Sequence, residues 1–275
     1  MVYQSVHDWD SAYANGDNIA GSHRWPEAWV EPAARFRAEL TAAGRAQLDL
    51  PYGSLPRNRF DLFHPDGTAM GLLVFVHGGY WLAFDKSYWS HYARGALAHG
   101  YAVAMPSYSL CPDIRIAGIG AEIGAAIAAA ATGVDGPIVL AGHSAGGQLA
   151  ARMATQIAPI PEAIGQRICR VVSISGLHDL RPLMGTEMNQ TLHIDEAEAM
   201  AESPALLRPR PQVELTCWVG GAERQEFRRQ SALLANVWIG LGGRTEVVEE
   251  PNRHHFDVLD GMVDPDHPLV RAIVG

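Results

Sequence analysis

Pro137-Ile138-Val139-Leu140-Ala141-Gly142-His143-Ser144-Ala145-Gly146-Gly147 is the stretch on which the reading of this chain turns. An apolar run of strand length leads into Gly-x-Ser-x-Gly and a helix-forming stretch follows, which reads as strand, sharp turn and helix with Ser144 at the turn. Such a turn holds its serine in strained backbone, and a Cβ two positions away would collide with the neighbouring strand or helix. Glycine is therefore needed at 142 and 146, and Ser144 is the expected nucleophile. Gly146 and Gly147 keep the first helical turn slim, and Leu149, Met153 and Ile157 are predicted to carry an apolar stripe along the helix.

Upstream, Leu72-Leu73-Val74-Phe75-Val76 reads as a buried strand that ends in His77-Gly78-Gly79-Tyr80-Trp81. Two adjacent glycines let backbone approach a reacting carbonyl closely. An N–H of Gly78 or Gly79 can then join that of Ala145 as an oxyanion hole. Further strand-like runs fall at 59–63, 101–105, 137–141, 169–175, 213–219 and 244–248, with helical patterns between them. Ile116, Ile119, Ile123 and Ile127 share one helical face, and Gly118, Gly120 and Gly124 suit close helix packing better than a dinucleotide fingerprint. This alternation predicts one α/β domain over 1–275, a mostly parallel central sheet with helices on both faces. Ligands of such sheets bind at the carboxyl edge of the strands, where both glycine turns would open. Residues 1–50, rich in Trp and Tyr, and 176–211, with Met184, Met188 and Met200, stand outside the pattern. They are read as an N-terminal helical, lid-like extension and a cap segment, the methionines suiting a pocket wall.

Lys and Arg total 21 against 30 for Asp and Glu, a net charge of −9 with no basic cluster, so nucleic acid is not an expected partner. No apolar run has membrane-spanning length, and Met1–Asp10 lacks the pattern of a secretory leader, so the expected location is the cytoplasm. Cys111, Cys169 and Cys217 are too few and scattered for a disulfide framework or thiolate metal site. The histidines form no His-Glu-x-x-His, so neither metal nor cofactor is expected. The expected partner is a small acyl substrate; self-association is left open, a homodimer being the assembly considered.

A serine hydroxyl needs a histidine base near pH 7, and the base needs a carboxylate to fix its tautomer and stabilise its charged form. The base is expected late, where Pro251-Asn252-Arg253-His254-His255-Phe256 offers His254 and His255. The acid is expected after the next-to-last strand, where Glu223 is preferred. Asp179 and Glu226 compete, the latter suited to a helix N-terminus.

Taken together, His77-Gly-Gly-Tyr-Trp81, Gly142-His-Ser-Ala-Gly146, the stretch 219–231 and His255-Phe256-Asp257 resemble the kynurenine formamidase (arylformamidase) branch of the α/β-hydrolases, near the hormone-sensitive-lipase-type esterases. The resemblance runs from about residue 55 to 260. It implies Ser144 as nucleophile, His255 as base and Glu223 at the acid position, where the eukaryotic enzymes have Asp. It further implies a metal-independent serine hydrolase acting on an aryl formamide such as N-formylkynurenine. A short-chain carboxylesterase is the second reading, and a non-catalytic binding protein on the same fold the third. Because the family's acyl group is a single formyl carbon and Tyr80 and Trp81 follow the glycines, those two residues are expected to contact substrate and cramp the acyl side.

Overall fold

The computed structural model describes residues 5–275. The expectation for Met1–Asp10 lies partly outside them. Eight strands form one sheet in the order β1-β2-β4-β3-β5-β6-β7-β8. They are β1 (Ala46–Pro51), β2 (Arg59–Phe63), β3 (Gly71–Val76), β4 (Tyr101–Pro106), β5 (Ile138–His143), β6 (Ile168–Ile174), β7 (Glu214–Gly220) and β8 (Arg244–Glu250). Only β2 runs against its neighbours.

The apolar runs are continuous because both sheet faces are covered. Along β3, Leu72, Val74 and Val76 face one side, packing with Ile119, Ile123 and Ile127 of α4 (Ile116–Ala131) and Leu149 of α5 (Ala145–Met153). Leu73 and Phe75 face the other, against Trp29, Phe36 and Leu40 of the long helix Trp25–Ala42. The period-2 alternation of the strand and the 3.6-residue period of the helices thus meet in two apolar layers. At roughly 1.5–3 kcal/mol per buried large side chain, these layers are the main force holding the sheet to its helices.

Two expectations need correction. The described part of the 1–50 extension is not one lid: Trp25–Ala42 packs on the sheet and Ala46–Pro51 joins it as the edge strand β1. That strand carries a weak signal in the sequence because it is largely exposed and interrupted between Gln47 and Leu50, with Asp49 at φ 56°. Helix α5 ends at Met153, so Ile157 does not continue its stripe and is exposed. No helix among the described residues is long and apolar enough to cross a membrane.

In register, Val74 lies beside Leu140 and Val76 beside Gly142. The turns after β3 and β5 therefore leave the sheet side by side.

Candidate active site

Ser144 sits between β5 and α5 at φ 55°, ψ −119°, a conformation that persists only where its surroundings impose it. Its N–H donates to the Ile174 carbonyl at 2.8 Å, and its carbonyl accepts from Gly147 N–H at 2.9 Å. A Cβ on Gly142 would run into the Gly146 carbonyl, and one on Gly146 into the carbonyls of Val76 and His77. The two motifs thus touch through backbone. A Cβ on Gly78 would lie 3.1 Å from the Ser144 Cβ. Neither Gly78 nor Gly79 gives its N–H to a backbone acceptor among the described residues. Ala145 opens α5 directly behind the serine, where first-turn N–H groups lack helical partners.

The loop after β8 carries His255, whose Nδ1 lies 2.7 Å from Glu223 Oε2. Glu223 follows β7, and its side chain is fully buried. Its Oε1 accepts from Ser175 Oγ at 2.5 Å and Gly220 N–H at 2.8 Å. A carboxylate opposite Nδ1 requires the proton there, which leaves Nε2 with a free lone pair. The ring packs against Phe227 and His143, each centroid 4.6 Å away. His143 Nε2–H donates to the His255 carbonyl at 2.8 Å, and burial holds His143 far below the ordinary histidine range and so neutral.

The competing residues are engaged elsewhere. Asp179 accepts from Arg181 Nε and Nη2 at 2.9 and 2.8 Å. Glu226 accepts from Arg229, from the Tyr13 hydroxyl and from Gln230. His254 is partly exposed, its Nδ1 accepting from the N–H groups of Phe256 and Asp257 at 3.2 Å. Neither carboxylate is hydrogen-bonded to His255.

Ser144 and His255 open into a cavity of about 460 Å³ that Gly79 and Tyr80 also line. One wall is aromatic, from Trp29, Phe84, Trp89 and Phe256; another comes from the N-terminal stretch between Asp10 and Asp17. Met188 alone of the three flagged methionines reaches it; Met184 and Met200 are exposed. Trp81 corrects the reading above: it is fully buried beneath the loop and does not line the cavity, its indole N–H donating to Gln148 Oε1 at 3.2 Å. Its φ of 60° turns the side chain inward, which sequence alone could not show. Trp29 and the residues near Asn15 belong to the N-terminal stretch read as lid-like and do border the cavity, whereas Ser175, which belongs to no motif, carries no signal in the sequence.

The family model described as the alpha/beta hydrolase family matches residues 73–271. The chain belongs to that family. Within it, this alpha/beta hydrolase is similar to the kynurenine formamidase of Salmo salar, 27% identical over 85% of this chain and 83% of that protein. The Drosophila melanogaster kynurenine formamidase is 26% identical over 90% and 87%. Among solved structures, a candidate thioesterase from a Silicibacter species is 50% identical, with 97% and 98% covered and a TM-score of 0.92. A Pyrobaculum calidifontis esterase shares the fold, with TM-score 0.70 at 18% identity over 90% and 89% of the chains.

Proposed function

We propose that this alpha/beta hydrolase is a serine hydrolase that cleaves small acyl compounds through an acyl-enzyme, with an aryl formamide such as N-formylkynurenine as its first substrate. The observation that carries the reading is the 2.7 Å contact between His255 Nδ1 and Glu223 Oε2, with His255 lining the same cavity as Ser144. His255 Nε2 takes the Ser144 hydroxyl proton as Oγ attacks the acyl carbon. The N–H groups of Gly78, Gly79 and Ala145 receive the oxyanion, and Glu223 stabilises the imidazolium. His255 then hands the proton to the departing arylamine nitrogen, leaving the acyl group on Oγ. Water, deprotonated by His255, attacks that ester and releases the acid and free Ser144. The kynurenine formamidase likeness and the aromatic cavity wall support an aryl leaving group.

Beside short-chain carboxylic esters, acyl thioesters are a further reading, favoured by the 50% identical candidate thioesterase. With Trp81 out of the cavity wall, only Tyr80 supports a cramped acyl side. One assay separates these readings: purified protein with N-formylkynurenine, p-nitrophenyl esters from acetyl to octanoyl, and the matching acyl thioesters. N-formylkynurenine is expected to be cleaved at least as well as p-nitrophenyl acetate. A preference that rises towards octanoyl, or that favours thioesters with no kynurenine released, overturns the formamide reading.

A further inference from the structure

The backbone after the glycine pair lies in a sparsely populated region. Gly79 has φ 111°, and the non-glycine residues Tyr80 and Trp81 have 51° and 60°. Such conformations last only where contacts over-determine them. Two side chains, Trp81 and Tyr80, do so here through hydrogen bonds on opposite sides. On the inner side Trp81 donates to Gln148 of α5 at 3.2 Å, and the Gln148 amide donates to the Glu202 carbonyl at 2.8 Å. On the outer side the Tyr80 hydroxyl donates to the Tyr13 carbonyl at 2.6 Å and accepts from Asn15 Nδ2 at 3.3 Å.

Tyr13 is itself anchored. Its buried hydroxyl donates to Glu226 Oε1 at 2.8 Å and accepts from Gln230 Nε2 at 3.0 Å, both on the helix Gln225–Gly240. Burial and the adjacent Glu226 carboxylate push the Tyr13 phenol well up, so it remains a donor. A continuous path of bonds therefore runs from that helix through Tyr13 to Tyr80, next in chain to Gly79.

We propose that Tyr80 is a positioning residue: its hydroxyl, held by the Tyr13 carbonyl, fixes the peptide planes that aim the Gly79 N–H at the oxyanion. The N-terminal stretch is then a working part of the site as well as a wall of it. The inference rests on the serine-hydrolase reading. The φ angles of Gly79 and Tyr80 set successive peptide planes, so releasing the Tyr80 ring lets the plane carrying the Gly79 N–H rock. An oxyanion donor matters most in the transition state, so its misplacement lowers kcat and spares KM.

The test is Tyr80→Phe, which keeps the ring and removes the hydroxyl, assayed well below the melting temperature of each protein. Expected are a kcat lower by about 10-fold to 100-fold, a KM within about 3-fold, and an arylboronate, which forms a tetrahedral adduct on serine, bound more weakly by about the same factor as the loss in kcat/KM. Tyr13→Phe should lower kcat less, and the double variant should lose less than the product of the two. A raised KM with unchanged kcat would make the hydroxyl a substrate contact and overturn the proposal, as would an unchanged kcat. Labelling of wild-type Ser144 by phenylmethylsulfonyl fluoride separates the two levels. No labelling sinks the serine reading and this inference with it, whereas labelling with Tyr80→Phe unimpaired sinks only this inference.

Discussion

The turn Gly142–Gly146 and the loop His77–Phe84 lie side by side beneath the cavity, yet they are held by different means. The first is fixed by backbone against backbone: Gly142 abuts the Gly146 carbonyl, Gly146 abuts Val76 and His77, and Ser144 N–H is tied to Ile174. The second carries three non-glycine residues at positive φ, namely Tyr80, Trp81 and Phe84, and is held by its own Tyr80 and Trp81 side chains, which donate to the Tyr13 carbonyl and to Gln148 Oε1 in distant parts of the chain. The serine turn is thus set by backbone packed against β3 and β6, whereas the second loop borrows its shape through side-chain bonds to residues 13 and 148. A motif can therefore specify the first turn outright but only the glycines of the second.

The largest effect expected is Ser144→Ala, which should lower turnover by at least about three orders of magnitude in a protein that keeps its fold; His255→Ala should match it. Substantial residual turnover in purified Ser144→Ala protein would remove the elbow from the chemistry. Glu223→Gln should come next, costing about 10³-fold in kcat with little change in melting temperature, because it keeps the loop but loses the charge facing Nδ1. Should Asp179→Asn prove more damaging, the acid is misassigned.

The contrast between the two turns is tested directly by Gly146→Ala. The added methyl meets the carbonyls of Val76 and His77, which cannot yield without moving β3. A loss of about 3 kcal/mol is expected, a fall of roughly 6–12 °C in melting temperature, while Tyr80→Phe should shift it by only a few degrees. Equal shifts would show that the loop is as local a structure as the elbow.

Acidity probes the buried frame around both turns. Burial pushes His77 down to about 4 and His178 to about 3, so both are neutral in the folded protein well below the ordinary histidine value. The unfolded chain protonates them near pH 6.5, so their contribution is fully present above that pH and is lost as pH falls towards 4 for His77 and towards 3 for His178. At pH 5 the loss is about 2 kcal/mol for each, visible as a lower melting temperature than at pH 7.5. A flat profile between those pH values would contradict the buried neutral state. The smallest effect belongs to His254→Ala, expected to change kcat by less than about 3-fold, since its ring serves local backbone N–H groups and packs on Trp25.

Most of this architecture was legible because each element carries its own signal. Runs such as Leu72–Val76 and Ile138–Ala141 are apolar on both faces, and the glycines at 142 and 146 mark backbone approach whatever else the chain does. The order of Ser144, Glu223 and His255 along the chain was readable for the same reason, as each follows a strand that can be recognised alone. Strand β1 was not: its only signal is the short alternation of Ala46, Leu48 and Leu50 with Gln47 and Asp49, which has no apolar run beside it and which an exposed edge strand does not bury.

What the sequence settled by itself was the sheet-and-helix layering, the elbow and the narrow set of residues from which a catalytic group could be drawn, since strand and helix periods act over a few neighbouring residues and a glycine marks close backbone approach whichever strand supplies it. Tertiary structure alone decided which carboxylate meets His255, that Trp81 turns into the core while Tyr80 faces the cavity, and which part of the N-terminal stretch, the residues near Tyr13, forms part of its wall. Those outcomes depend on hydrogen bonds between Ser175 and Glu223, Trp81 and Gln148, and Tyr13 and Tyr80. Each joins positions tens of residues apart, and no local pattern encodes a partner that only the folded chain brings near.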